Sequence, residues 1–236
     1  MAEEDFDALS LAAYLHLTPD QVRRMADRDR LPGRRVGGKW RFSRPEIHQW
    51  FEEKIGLSDE QELTAVEKVL DRHNNLDPDD SFQIPELMAI ENVYIPLLAR
   101  TKKSVIQKIC ELTAETGKLW DAEKMGEAIL SREELHPTAL GNGVALLHPR
   151  RPMSSIIGEP FLALGVTSSG IPFGGPRGCL TDIYFLIGST TESVHLRVLA
   201  RLSRLIQQVN LLDNVRAAGT PEEAWQIIKD ADDSLD

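Results

Sequence analysis

The 236-residue chain is poor in cysteine, in aromatic residues, in net positive charge and in long apolar runs. Its two cysteines, Cys110 and Cys179, have no Cys-x-x-Cys spacing, which excludes a disulfide framework and a cysteine-based zinc site and points to a reducing compartment. No stretch approaches the about eighteen apolar residues of a membrane span, and the run from Pro160 to Pro176 is broken by glycine, serine and proline. Met1 opens onto Ala2-Glu3-Glu4-Asp5, with neither a basic region nor an apolar one behind it, so no membrane insertion and a cytoplasmic location are expected. Aromatic residues make up only 6%, yet aliphatic residues bring the apolar fraction to 42% against 27% charged. That balance excludes a disordered chain and allows a real core. The length fits two unequal domains better than one.

The formal charge of -10 argues against a chain that coats nucleic acid over its whole surface. Its distribution is uneven. Between Val22 and Arg44 nine bases meet two acids, Asp27 and Asp29, a local +7 that leaves -17 for the remainder. One short segment is suited to a polyanion.

That segment lies in a unit read here as residues 1–56. Ser10 is expected to cap a short helix carrying Leu11, Tyr14 and Leu15, and Thr18 followed by Pro19 to open a second. In the second helix Val22, Met25 and Ala26 form an inward face, which puts Gln21, Arg24 and Arg28 on the opposite one. The run from Arg34 to Phe42 reads as two strands joined at Gly37-Gly38, with Trp40 and Phe42 on one side and Lys39 and Arg41 on the other. Ser43 is expected to cap a third helix, with Glu46 at the capping-box position and Ile47, Trp50 and Phe51 inward. From Leu57 to Asp80 eight acids face two bases, and Leu63, Val66, Val69 and Leu70 share one helical face. Residues 57–81 therefore read as an acidic, partly helical linker.

Residues 82–236 mix periodicities. Helices are expected around Val105 to Leu119 and around Met125 to Ile129. A long amphipathic helix follows with Leu196, Leu199, Leu202, Leu205, Ile206 and Val209 inward, and a last one opens at Thr220-Pro221. Val144 to Leu147, Phe161 to Val166 and Ile183 to Ile187 suit buried strands. Helices alternating with such strands make an α/β domain with a mixed sheet flanked by helices.

A helix-turn-helix exposing Gln21, Arg24 and Arg28, followed by a hairpin displaying Lys39 and Arg41, has the parts of a winged DNA reader: phosphate neutralisation for affinity and a helix for base readout. The other reading of these arginines is a solvated face or a contact for an acidic protein. Leu9 to Leu15, Gln21-Val22-Arg23-Arg24-Met25, Leu31-Pro32, Arg35 to Phe42 and Ile47 to Phe51 resemble the excisionase and MerR-like helix-turn-helix family. The resemblance implies DNA binding, with the second helix in the major groove and Arg35, Lys39 and Arg41 on the wing. Such proteins commonly act as dimers, and the sequence leaves a homodimer open.

Six histidines are scattered along the chain, and His148 has a distinctive setting. The turn Gly141-Asn142-Gly143 precedes a short apolar strand, and His148-Pro149 ends it at a sheet edge. A rigid strand delivering a neutral imidazole, beside a glycine turn offering backbone N–H groups, suits a transferable phosphoryl group. A buried strand-end histidine, or a zinc site of His136, His148 and His195, are the alternatives.

Arg132-Glu133-Glu134, Thr138 to Ala145 and His148 resemble the phosphoacceptor motif of type-2 enzyme IIA domains of the bacterial phosphotransferase system, the fructose, mannitol and nitrogen-regulatory group. Ile171 to Pro176, Thr181 to Leu186 and His195 to Leu202 continue the resemblance, which spans about residues 83–233. Leu147 stands where the family has proline, and His136-Pro137 where it has Gly-Ser. The resemblance implies that His148 accepts a phosphoryl group from the phosphorylated histidine phosphocarrier protein. His195 becomes the second active-site histidine and Arg132 the site arginine, with Gly141, Asn142 and Gly143 as the phosphate loop. No cofactor or metal is implied, because the donor is itself a phosphohistidine. A downstream IIB or regulatory protein is an implied partner, and nothing in this chain looks like a IIB or IIC component. The competing reading is a regulator whose IIA-like fold only senses a partner or metabolite.

Overall fold

The computed structural model describes residues 5–15, 17–44, 46–47, 50 and 83–235. By its contacts the chain divides into two compact units, Met1–Asp79 and Asp80–Asp236. The expected helical face at Leu63, Val66, Val69 and Leu70, the linker as a whole and Phe51 lie outside the described residues.

The first unit opens with a two-residue strand, β1 (Phe6–Asp7), followed by α1 (Ala8–Tyr14), α2 (Pro19–Ala26), β2 (Arg34–Val36) and β3 (Lys39–Phe42). Asp7, not Ser10, caps α1. Its carboxylate accepts the backbone N–H groups of Leu9 at 2.9 Å and Ser10 at 2.7 Å, while the Ser10 hydroxyl accepts the Asp7 N–H. Ser10 is thus the inner member of a capping box, and an acid at the cap also suits the positive end of the helix. Those bonds hold the Asp7 carboxyl below its usual range, the Ser10 N–H contributing most. Thr18 caps α2 and Pro19 occupies its first turn, as the residue types require.

The hairpin turns at Gly37 (φ +58°) and Gly38 (φ +78°), both left-handed, as a two-residue turn between twisted strands demands. β3 lies between β2 and β1 in an antiparallel sheet. Phe6, Leu11, Leu15, Val22, Leu31, Phe42 and Ile47 fill the interior. Met25 is only half-buried. Arg44, Glu46, Ile47 and Trp50 are helical, and the Ile47 N–H donates to the Ser43 carbonyl at 2.9 Å.

The second unit runs α3 (Ile84–Leu87), a 3₁₀ turn at Ile90–Asn92, β4 (Val93–Tyr94), α4 (Lys102–Glu115), α5 (Ala122–Leu135), β5 (Val144–Leu147), β6 (Phe161–Pro172), β7 (Leu180–Gly188), α6 (Glu192–Leu205), α7 (Leu211–Ala217) and α8 (Pro221–Asp233). The sheet order is β4-β6-β7-β5. β6 is antiparallel to β7, whereas β4 pairs parallel with β6 and β5 parallel with β7. Because successive side chains alternate across the sheet, Ala145, Leu147, Phe161, Ala163, Tyr184 and Leu186 join Val105, Ile106, Ile109 and Ile129 of α4 and α5 in one apolar cluster. Leu146, Leu162, Leu164, Phe185 and Ile187 are buried from the other face.

Four expectations change. Gly117, at φ +80°, stands just beyond α4, which ends at Glu115 and leaves Leu119 in an isolated bridge with Ile157. β6 continues past Val166 to Pro172 through a register shift. The long helix stops at Leu205, and Asn210, in a left-handed conformation (φ +64°), precedes the separate α7. Val209, expected inward, is therefore in the turn and 87% exposed. Nor is α6 amphipathic in burial. Every residue from His195 to Leu205 is buried, Arg197, Arg201 and Arg204 included. Arg201 meets Asp232 of α8 at 2.8 Å, and the other Asp232 oxygen accepts the Ile84 N–H at 2.9 Å, so one buried carboxylate joins three helices.

Candidate functional site

Parallel pairing decides what meets at the rim of the second unit. Leu147 at the end of β5 lies opposite Leu186 near the end of β7, so both chains leave the sheet at the same edge. β5 releases His148, and β7 releases Ser189 and then Thr191, which caps α6 and receives the His195 N–H on its carbonyl. The His148 and His195 rings come to 4.9 Å between centroids at 59°, and both side chains are buried. His148 Nδ1 sits 2.8 Å from the Leu146 carbonyl oxygen. A carbonyl can only accept, so Nδ1 carries the proton, and the tautomer this selects has its lone pair on Nε2. His195 Nδ1 is 3.3 Å from the hydroxyl of Ser189, itself buried. Two imidazoles at the first turn of a helix form a setting that favours an anion.

Arg132 lies in the last turn of α5, where Nη1 donates to the His136 carbonyl at 2.6 Å. The neighbouring Glu133 makes contacts that sequence reasoning missed. Its side chain is fully buried, pairs with Lys102 Nζ at 2.7 Å, and accepts both the Thr138 N–H at 3.0 Å and the Thr138 hydroxyl. Ser189 was missed as well, since nothing local distinguishes it from other serines. The sequence signal for Glu133 is an acid in the last turn of a helix, the wrong end for its charge.

Gly141, Asn142 and Gly143 fall elsewhere. They enter β5 at its start, while His148 leaves at its end, about 16 Å along a strand that rises roughly 3.3 Å per residue. The Gly143 carbonyl accepts the N–H groups of Asp182 and Ile183, and Arg216 holds the turn by donating to the Asn142 carbonyl at 2.8 Å and to both Asp182 oxygens. This turn sets the start of the strand and does not cradle a phosphoryl group on His148. A Cβ at Gly143 would fall 2.6 Å from the Arg216 guanidinium, at φ +88°. His136 is exposed, and among the described residues no three of His, Cys, Asp and Glu come together as metal ligands.

In the first unit Gln21, Arg24, Arg28 and Lys39 are exposed, Arg35 is exposed and Arg41 is half-buried. Several are already engaged. Gln21 Oε1 accepts the Thr18 N–H at 2.7 Å in the α2 capping box, so a base contact falls to its other amide atom. Arg24 Nε donates to the Asp20 carbonyl, and Arg41 is 3.9 Å from Asp7. Arg35 Nη2 and Trp40 Nε1 both donate to Asp27 Oδ1, at 2.9 and 3.1 Å, with the guanidinium 5.1 Å from the indole centroid. Asp27, which in sequence only dilutes the positive charge, is where the wing is tied to the end of α2. Arg28 and Lys39 make no ion pair among the described residues.

Against known families, residues 86–231 match the model of the phosphoenolpyruvate-dependent sugar phosphotransferase system, EIIA 2, and residues 11–55 match that of a helix-turn-helix domain. The chain is 28% identical over 152 residues to the fructose-specific EIIABC component of Bacillus subtilis, covering 64% of this chain and 24% of that protein. It is 29% identical over 132 residues to the nitrogen regulatory protein of Pseudomonas aeruginosa, covering 55% of this chain and 84% of that one. It thus spans about a quarter of the first relative and most of the second. The fold matches the nitrogen regulatory protein IIA-Ntr of Neisseria meningitidis with a TM-score of 0.56, at 22% identity over 61% of this chain and 98% of that one. IIA mannitol of Escherichia coli gives 0.53 at 19% identity, over 59% and 97%. Among the described residues no helix is long and apolar enough to cross a membrane.

Proposed function

The chain belongs to the phosphoenolpyruvate-dependent sugar phosphotransferase system EIIA 2 family and carries a helix-turn-helix domain at its N-terminus, and on that footing we propose that it accepts a phosphoryl group on His148 and binds DNA through its first unit. The observation that carries the first half is the pair of buried imidazoles 4.9 Å apart with Nδ1 of His148 held on a carbonyl. The Nε2 lone pair attacks the phosphorus of a phosphohistidine donor, the phosphorylated histidine phosphocarrier protein. A nitrogen–phosphorus bond forms at His148 as the donor's breaks, and the Nδ1 proton stays in place. His195, in the first turn of α6, offsets charge on the transferring oxygens, and Arg132 is the guanidinium assigned to the same task. No metal takes part in this scheme.

The DNA half rests on the exposed bases of α2 and the wing, with Gln21, Arg24 and Arg28 toward the groove and Arg35, Lys39 and Arg41 on the hairpin. A regulatory, nitrogen-type role fits a IIA domain joined to a helix-turn-helix better than dedicated sugar uptake does. A IIB or regulatory protein is the onward partner, in a cytoplasmic setting.

Phosphoryl uptake from phosphoenolpyruvate through enzyme I and the phosphocarrier protein tests the first half, read by intact mass and acid lability. An acid-labile gain in wild type that is lost in His148→Ala is the expected result. No gain with active carriers and a folded chain means the fold serves binding alone.

A further inference from the structure

Glu133 is a buried carboxylate that the transfer step does not use, and it sits where it is penalised twice. Its side chain is fully buried, and it occupies the C-terminal turn of α5, where the helix dipole opposes a negative charge. Lys102 and Thr138 compensate, and the bond to Thr138 has a consequence at His148.

After α5 the chain turns back beside the outer edge of β5. Ala139 forms an antiparallel bridge with Ala145, and the Leu140 N–H donates to the Val144 carbonyl at 2.7 Å. In this register Thr138 faces Leu146, and hydrogen-bonded pairs alternate along an antiparallel ladder. Leu140 with Val144 is one such pair, so Thr138 with Leu146 is the next. Such a pair exchanges two bonds, each N–H donating to the other's carbonyl. Half of the exchange is present, since the Leu146 N–H reaches the Thr138 carbonyl at 3.5 Å. The other half is replaced. The Thr138 N–H goes to Glu133 Oε1 at 3.0 Å, and the Leu146 carbonyl accepts from His148 Nδ1 at 2.8 Å instead.

We propose that Glu133 is a positioning residue for His148: by capturing the Thr138 amide it keeps the Leu146 carbonyl for the imidazole, and so fixes the tautomer whose lone pair is on Nε2. Lys102, 2.7 Å from the other carboxylate oxygen, holds the side chain in place for that capture. The inference rests on His148 being the phosphoryl acceptor only for its effect on rate. The tautomer itself is independent of that.

The test uses the full chain with ¹⁵N-labelled histidine. Imidazole nitrogen shifts report the His148 tautomer, and uptake from the phosphorylated carrier reports the chemistry. Glu133→Gln keeps an acceptor for Thr138 and should keep the wild-type tautomer and a rate within about threefold. Glu133→Met keeps the length and removes the acceptor. It should mix the tautomers and lower the maximal rate about tenfold, with the KM for the carrier unchanged, which a merely loosened surface would not do. A folded Glu133→Met chain with the wild-type tautomer overturns the proposal. If that variant does not fold, through-hydrogen-bond coupling in the unmodified chain decides. Coupling of the Thr138 amide nitrogen to the Glu133 carboxyl carbon supports the proposal, and coupling to the Leu146 carbonyl overturns it. A wild-type chain with the expected tautomer that takes up no phosphoryl group refutes the acceptor role of His148 and leaves the positioning intact.

Discussion

The two units arrange their functional side chains in opposite ways. At the rim of the α/β unit the two histidines are buried, and each ring is tied by Nδ1 to a group beside it, the Leu146 carbonyl or the Ser189 hydroxyl. On the helix-turn-helix unit the bases are exposed, and several lean on nearby acids: Arg23 on Asp20, Arg34 on Asp5, Arg35 on Asp27. The first arrangement is preorganised for one reacting group and is shielded from salt. The second is a charge pattern, exchangeable with counterions and tuned by its own acids. The difference teaches that geometry carries the function of one unit and electrostatics that of the other.

The sharpest way to break this comparison is at the rim. Replacing His195 by alanine should cut the rate of uptake on His148 about a hundredfold, the size expected for one preorganised group on a developing charge. Stopped-flow or quenched-flow transfer from the carrier checks it, and a rate within about threefold of wild type contradicts the assigned role.

Burial in the α/β unit also predicts a steep stability cost. Asp232→Ala removes the buried carboxylate that pairs with Arg201 and accepts the Ile84 N–H, and should lower the unfolding free energy by about 3 kcal/mol in urea titrations. The surface pair Arg23 with Asp20 should contribute less than about 1 kcal/mol.

Salt separates the units without mutation. Raising ionic strength should weaken binding to a duplex DNA probe steeply and leave the phosphoryl transfer step at saturating carrier nearly constant. Arg24→Ala with Lys39→Ala should reduce the logarithmic salt slope by about two, as expected for two lost phosphate contacts. A flat salt dependence in wild type removes the DNA reading altogether.

A smaller effect has an instructive sign. Removing an acid from a basic surface should tighten DNA binding, but Asp27 holds both Arg35 and Trp40. Asp27→Ala is expected to weaken binding a few-fold because the wing is released, while Asp27→Asn, which keeps an acceptor, should be nearer wild type. Equal tightening in both variants makes Asp27 a diluting charge and nothing more. The smallest effect concerns acid. The Asp7 carboxyl is held below its ordinary range, so its contribution to the cap of α1 is present at neutral pH and is lost as pH falls through the folded value. The first unit should therefore melt slightly earlier in acid, a shift that Asp7→Asn abolishes.

Much of this was legible in the residues. Gly37-Gly38 between alternating strands specifies the hairpin, because two successive left-handed residues are cheap only for glycine. Thr18-Pro19 specifies the start of α2. The apolar runs of β5, β6 and β7 were readable because both faces of the sheet are covered. The two-residue strands β1 and β4 were not, since such strands owe their existence to partners distant in sequence. The break at Asn210 escaped because the apolar spacing continues across it while the backbone does not. His148 and His195 were singled out through their motif, and the fold brings their rings together. The glycine turn was expected beside His148, but it opens the strand that His148 closes, and an extended strand keeps its two ends apart. Glu133 and Ser189 meet Thr138 and His195 only through the folded backbone, and no local pattern marks such contacts.

The parallel pairing of β5 with β7 has a further consequence for how the chain becomes competent. Val144 must find Ile183 across all of β6 and its connections, a closure that is entropically costly and forms slowly compared with local helices. On the ribosome, His148 emerges long before its partner ring, as an unsupported imidazole on a strand without a neighbour. The pairing of the two buried rings therefore arrives late in synthesis, and at once, when the sheet closes and α6 docks behind it.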